Sequence, residues 1–201
     1  MKIPKTKKII KCRLCSYDKL TRVYDFGNHY VSNFVTKSKI NNGIKAPLNL
    51  VYCKNCKLLQ LEHSAPQEIM YKKFYWYRSG VTETMKIALK DIFLNVKKLS
   101  ILKKGDTILD IGANDGTLLK YFKDDGFTTI GCEPAKNLAP ELKKNCKYII
   151  NDFWNVKNLD KILNKNKLKK PKVITAIGMF YDLEDPSKFI ADAAKSLDDD
   201  G

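Results

Sequence analysis

Residues 109–119 read LDIGANDGTLL. An apolar run ends in Asp110, passes through a glycine turn and enters a helix-forming stretch. A strand, a glycine turn and a helix in that order form the loop on which nucleotide-type ligands rest. The dinucleotide fingerprint requires G-x-G-x-x-G, and here only Gly112 and Gly116 are present, with Asn114 between them. The loop therefore predicts a nucleotide-like ligand that is not held by its pyrophosphate.

Downstream of this loop the pattern alternates. TILDIGA is a strand, GTLLKYFKDD a helix, TTIGCEP a strand, and AKNLAPELKKN a helix that Pro140 would kink or break. KYIINDF, NVKNLDKILNKNKL, KVITAIGMF and DPSKFIADAAKSL continue as strand, helix, strand and helix, with Asp185 as N-cap and Pro186 at N1 of the last. Repeated βα units predict an α/β fold with a parallel, doubly wound sheet of the Rossmann-like kind. The alternation stops at SLDDDG, after a helix. A further strand is expected to follow there, so the sequence reads as the N-terminal part of a longer chain.

In such a sheet, ligands lie beyond the C-terminal strand ends. Asp110 closes the first strand, and its carboxylate would repel a pyrophosphate and attract an ammonium group. Glu133, seventeen residues after Gly116, closes the second and can accept from both hydroxyls of a ribose. Asp152 and Phe153 follow the third, where they can accept from an adenine amine and cover its ring. An adenosine with a cationic amino-acid tail and no phosphate satisfies all three. S-adenosylmethionine (SAM) is such a molecule and NAD is not. The cofactor set is Asp110, Gly112, Asn114, Gly116, Glu133, Asp152 and Phe153.

Upstream, Cys12/Cys15 and Cys53/Cys56 form two C-x2-C pairs separated by 37 residues. Two thiolates on a tight turn reach one ion, and two such turns complete a tetrahedral S4 set suited to zinc. With four thiolates and no place for water, the centre is structural. His63 is a spare ligand candidate, with a surface or core histidine as the expected reading for it and for His29, and Cys132 and Cys146 are read as buried thiols of the αβ half. Between the two regions, VTETMKIALKDIFLNVKKL carries Met85, Leu89, Ile92, Phe93 and Val96 at helical spacing after Thr82 as N-cap. The expected division is a zinc-binding domain over 1–62, a helical bridge contributing to the substrate site over 63–104, and an incomplete SAM-binding domain over 105–201.

Charge is unevenly spread. Residues 1–100 hold 20 Lys and Arg against 6 Asp and Glu, and residues 101–201 hold 17 against 16, which together give the net +15. A basic half suits an anionic partner. Only three arginines are present, Arg13, Arg22 and Arg78, without the Arg/aromatic interleaving that reads or stacks bases, so nucleic acid is disfavoured as a partner. No run of about 18 apolar residues exists to cross a membrane. The basic start MKIPKTKKIIKC is not followed by an apolar signal segment, so a cytoplasmic protein is expected.

The elements CRLC, CKNCKLLQLE, YWYRSGVTETM, DIGANDGTLL, GCEPAKNLA and FYDLEDPSKFIADAAKSL occur in one order through nearly all 201 residues. That combination resembles the SAM-dependent sugar C-methyltransferases with an N-terminal zinc-binding domain. The resemblance implies methylation of carbon 3 of a nucleotide-linked 4-keto-deoxysugar, a small-molecule substrate. It implies a Tyr near the substrate, for which Tyr77 is the best match and Tyr75 the runner-up. It also implies an acid–base residue in the segment matching FYDLED, where this sequence carries Asp182 in place of the family's His. Two other function classes stand beside it: a nucleic-acid methyltransferase with a zinc module, and a non-catalytic zinc-dependent interaction module.

Overall fold

The computed structural model describes residues 6–31, 36–38, 43–99 and 102–201. Residues 39–42 of the polar loop TKSKINNGIKAP, and Met1–Lys5 of the basic start, lie outside the described residues. The chain divides into two compact units, one running up to Tyr71 together with Glu184–Ser187, the other comprising Lys72–Leu183 and Lys188–Gly201.

In the first unit, β1 (Lys7–Lys8) pairs antiparallel with β5 (His63–Ser64). The strands β2 (Leu20–Tyr30), β3 (Lys45–Cys53) and β4 (Leu59–Leu61) form an antiparallel sheet in the order β2-β3-β4. Among the described residues of this unit, those fully buried are Cys12, Asn49, Val51, Cys53, Gln60 and Glu62. One aliphatic side chain is not a hydrophobic core, so the unit needs another source of cohesion. Part of it is ionic: Glu62 accepts from Asn49 at 3.1 Å and pairs with Arg22 at 2.8 Å and Lys8 at 3.2 Å. Burial alone would raise the Glu62 pKa, but these three donors outweigh it and bring it to about 2.

A π turn, Glu68–Lys72, follows, and then α1 (Glu83–Leu99). Thr82 caps α1 as its sequence predicts, its Oγ1 accepting from the Met85 amide at 3.4 Å. Leu89 and Phe93 are buried, with Met85, Ile92 and Val96 packed around them. The chain then alternates β6 (Thr107–Ile111), α2 (Thr117–Asp124), β7 (Thr128–Cys132), α3 (Ala139–Asn145), β8 (Tyr148–Ile150), α4 (Val156–Asn166), β9 (Pro171–Thr175) and α5 (Pro186–Ser196), all in the second unit except the first two residues of α5.

All four strands of the second unit are parallel, in the order β8-β7-β6-β9. Every residue of β6 and β7 is buried, as central parallel strands covered on both faces require. The pleat sorts their side chains. Ile108 joins Leu89, Phe93, Leu118, Leu119, Phe122 and Leu142 on one face. Leu109 and Ile111 join Ile130, Ile150, Leu159 and Leu163 on the other. Strand order reverses between β6 and β9, so the crevice for a ligand opens beyond the C-terminal ends of that pair.

Two local expectations are corrected. Pro140 does not kink a longer helix; it sits in the first turn of α3, where its missing N–H costs nothing. The fourth strand stops at Thr175 instead of running to Phe180, because Gly178 takes φ 66° and turns the chain into a single 3-10 turn, Phe180–Asp182.

Candidate functional site

The four expected thiols converge. The sulfur atoms of Cys12, Cys15, Cys53 and Cys56 all lie within 4.8 Å of one another. Cys12 and Cys56 are 3.5 Å apart, and Cys15 and Cys53 are 3.6 Å apart. A tetrahedron with zinc–sulfur bonds of about 2.3 Å has sulfur–sulfur edges of about 3.8 Å, so the set has the size of a zinc cage. Both pairs are built alike. The amide of Ser16 donates to the Cys12 carbonyl at 3.0 Å, and that of Lys57 to the Cys53 carbonyl at 3.0 Å. Ser16 at φ 59° and Lys57 at φ 68° carry the left-handed turn in each.

The thiols do not titrate alike. The Tyr17 amide, then Asn55, holds Cys15 down to about 6. Cys56 receives the Leu58 amide, but desolvation and the three neighbouring sulfurs win and push it up to about 12. Four thiolates this close require a cation to ionise together. Gln60, which sequence reasoning missed, donates to the Cys12 sulfur at 3.3 Å and accepts from the Arg13 amide at 3.1 Å. It orients a ligand in the way outer groups around metal sites do. Cys132 and Cys146 are free, buried thiols outside the cage, both raised by desolvation.

In the second unit, Asp110, Glu133 and Asp152 stand at or just beyond the ends of β6, β7 and β8. Asp110 is 4% exposed, and its Oδ1 accepts from the Thr175 hydroxyl of β9 at 2.7 Å. Glu133 is 6% exposed and accepts from the Asn114 amide at 3.0 Å and the Ala135 amide at 2.8 Å. Asp152 Oδ1 accepts from Lys72 Nζ and from the Phe153 amide, each at 2.9 Å, with the ammonium 5.6 Å from the Phe153 ring centre. The Lys72 bond holds the Asp152 pKa below its ordinary value.

The glycines differ in what they do. Gly112 has φ 77°, and a Cβ there would meet Met179 Cγ at 3.0 Å. Gly116 has φ 80° and caps α2, and a Cβ there would strike Asn145 and Leu142 at 2.9 Å. Close helix packing is thus a sufficient reason for Gly116. Asn114, also left-handed at φ 52°, turns its side chain to the segment 77–79. Asp182 ends the turn that Met179 begins above Gly112, its amide bonded to the Met179 carbonyl at 3.1 Å. Tyr75 is half-buried, and its pKa is raised by desolvation first and then by Tyr181, Asp182, Glu133 and Tyr77. Tyr77 is 45% exposed.

Burial pushes Asp110 up to about 7, over the opposing Thr175 bond and with Glu133 adding to it. Its pKa in the folded chain therefore lies above the unfolded value, so the native state binds the extra proton. Stability is then greatest at low pH within this window and is lost as pH rises from about 4 through 7, by up to about 1.4 kcal/mol per unit. Urea unfolding from pH 5 to 8 is expected to show this slope, and Asp110→Asn is expected to flatten it. Equal slopes in both proteins would refute the assignment.

The zinc binding domain family matches residues 12–71, and the methyltransferase domain family matches residues 83–201. The second match covers more than half of the sequence. The chain belongs to the methyltransferase domain family. A C-methyltransferase of Streptomyces niveus, NovU, is 27% identical over 133 residues, which are 65% of this chain and 31% of that protein. The chain thus spans about a third of that relative's length. Among solved structures, the plantazolicin methyltransferase BamL with SAH is 20% identical, covering 58% of this chain and 44% of its own at TM-score 0.46. A SAM-dependent methyltransferase of Geobacter sulfurreducens is 15% identical, covering 69% and 53% at TM-score 0.39. The cofactors of this methyltransferase-family chain are SAM and zinc. The four-sulfur cage fits zinc. The carboxylates along three strand ends fit an adenosine with a cationic tail and oppose a pyrophosphate. Among the described residues, no helix is long and apolar enough to cross a membrane.

Proposed function

We propose that this chain is the zinc-binding and SAM-binding part of a C-methyltransferase acting on a nucleotide-linked keto-deoxysugar in the cytoplasm. The observation that carries the reading is the row of Asp110, Glu133 and Asp152 at the ends of adjacent parallel strands, beside the strand-order reversal. In this reading Asp110 and the loop Gly112–Gly116 face the amino-acid end, Glu133 accepts from the ribose, and Asp152 with Phe153 meets the adenine. Both bonds to the Asp152 carboxylate fall on Oδ1, which leaves Oδ2 for the amine. Residues 1–62 serve as the zinc domain, 63–104 bring the substrate-facing segment, and 105–201 bind the cofactor.

SAM supplies an electrophilic methyl group. The chain's own task is to take a proton from the carbon beside a ketone, hold the resulting enolate, and point that carbon at the methyl group. Bound SAM would give up that methyl group as the new carbon–carbon bond formed, its sulfur keeping the electron pair of the broken bond. Asp182 is the candidate base. Tyr75 and Tyr77 are the candidate donors to the enolate oxygen. The name of NovU supports carbon as the methylated atom.

Glu133→Ala tests the cofactor reading. Losing the ribose acceptor costs about 1–3 kcal/mol, or roughly tenfold to a hundredfold in affinity. Calorimetry with S-adenosylhomocysteine is expected to show that drop. An unchanged affinity, or NAD binding more tightly than SAM, would refute the reading.

A further inference from the structure

Residues 72–80, K-K-F-Y-W-Y-R-S-G, contain no regular helix or strand beyond the π turn that ends at Lys72. Even so, their backbone is bonded along its length. The Lys72 carbonyl accepts from the Lys136 amide at 3.1 Å. The Tyr75 amide donates to Asn137 Oδ1, and Asn137 Nδ2 donates back to the Tyr75 carbonyl, both at 2.9 Å. Asn114 Nδ2 donates to the Tyr77 carbonyl at 3.1 Å, and Asn114 Oδ1 accepts from the Ser79 amide at 3.0 Å. The Gly80 amide donates to Asp115 Oδ2 at 2.7 Å. Gly80 has no room for a side chain, since a Cβ there would lie 2.7 Å from Thr117 Oγ1.

The partners come from the two loops that follow β6 and β7. They bond to the strap as a neighbouring strand would, but mostly with side chains: the amides of Asn137 and Asn114 and the carboxylate of Asp115. Only Asn and Gln offer a donor and an acceptor at one planar tip, which the two-way bond to Tyr75 requires. Asn114 also belongs to the cofactor loop, since its own amide reaches Glu133. Among the described residues, the side-chain bonds of Asn137 go to the Tyr75 backbone.

We propose that Asn137 is a positioning residue that fixes the Tyr75–Tyr77 strap against the cofactor loops, with Asn114 and Asp115 holding its far end. This rests on the reading of the site given above. Asn137 touches no reacting group in it. It sets where the Tyr75 phenol stands relative to Asp182 and Glu133.

The whole chain, wild type, Asn137→Ala and Asn137→Asp, is to be compared by amide hydrogen exchange at Tyr75–Gly80, by S-adenosylhomocysteine calorimetry and by thermal unfolding. In the wild type the Tyr75, Ser79 and Gly80 amides are expected to be protected. Asn137→Ala should speed exchange at Tyr75 by roughly tenfold or more. Asn137→Asp retains an acceptor for the Tyr75 amide, so it should restore protection there while leaving the Tyr75 carbonyl without its donor. Ligand affinity should change by less than about threefold, and the unfolding temperature little. In the full-length enzyme, turnover with the keto-sugar should fall roughly tenfold at unchanged KM for SAM. An unprotected strap in the wild type, or exchange at Tyr75 that Asn137→Ala leaves unaltered, overturns the proposal. Failure of the wild type to bind S-adenosylhomocysteine would instead overturn the cofactor reading, because the exchange measurement needs no ligand.

Discussion

Cys12→Ser is expected to bring the zinc content well below one per chain and to unfold the N-terminal unit, while S-adenosylhomocysteine still binds. The size of the effect follows from what else could hold that unit. Its fully buried side chains among the described residues are Val51, two of the cage cysteines, and the polar Asn49, Gln60 and Glu62. A core so small supplies at most about 3–5 kcal/mol. Structural zinc contributes on the order of 10–16 kcal/mol in zinc-finger peptides. The metal therefore decides whether residues 12–62 fold. Serine offers a harder, far more basic oxygen, and it replaces the large sulfur that accepts from Gln60 by a smaller atom. The residues proposed to bind the cofactor lie in the other unit, so the affinity should be kept. Metal analysis with amide exchange at Val51 and Cys53 checks this. One zinc per chain and intact protection in the variant would sink the idea, and so would a wild type that carries no zinc. Gln60→Ala serves as a graded control, retaining all four thiols and costing less.

The parts legible from sequence were those written locally. Two C-x2-C turns announce their chemistry within four residues each. TILDI and TTIGC read as buried parallel strands because such strands are apolar on both faces. Met85, Leu89, Ile92, Phe93 and Val96 read as one helical face, and all five reach the same core cluster. What stayed hidden was long in range or set by backbone angle. Asn137 sits 62 residues from Tyr75, and Asn114 and Asp115 sit 35 residues from the amides they bind. A polar side chain that bonds a distant backbone leaves no periodic trace. Met179 closing over Gly112, and Gly178 ending the fourth strand early, depend on a left-handed turn that an apolar run of letters conceals.

In the full-length enzyme, Tyr75→Phe is expected to lower turnover by about 10²–10³-fold with SAM affinity little changed. The two tyrosines of the strap stand in different surroundings. Tyr77 is 45% exposed, and its carbonyl is held by Asn114. Tyr75 is half-buried, and burial together with Tyr181, Asp182, Glu133 and Tyr77 raises its pKa. A phenol held among negative groups keeps its proton. It is therefore suited to donate a hydrogen bond to an enolate oxygen and unsuited to act as the base. In the proposed reading the base is then a carboxylate, and Asp182 stands on the turn above Gly112. Asp182→Asn should lower turnover by about 10²–10⁴-fold if it removes the proton, and only mildly if it orients substrate. The two roles separate in solvent exchange. Tyr75→Phe should leave deuterium uptake at the acidic carbon of the keto-sugar measurable in the absence of methyl transfer, whereas Asp182→Asn should abolish it. If Tyr77→Phe is the severe variant and Tyr75→Phe the mild one, the donor is the exposed tyrosine and the burial argument fails. If both are mild while Asp182→Asn is severe, the enolate oxygen is held by groups outside the strap.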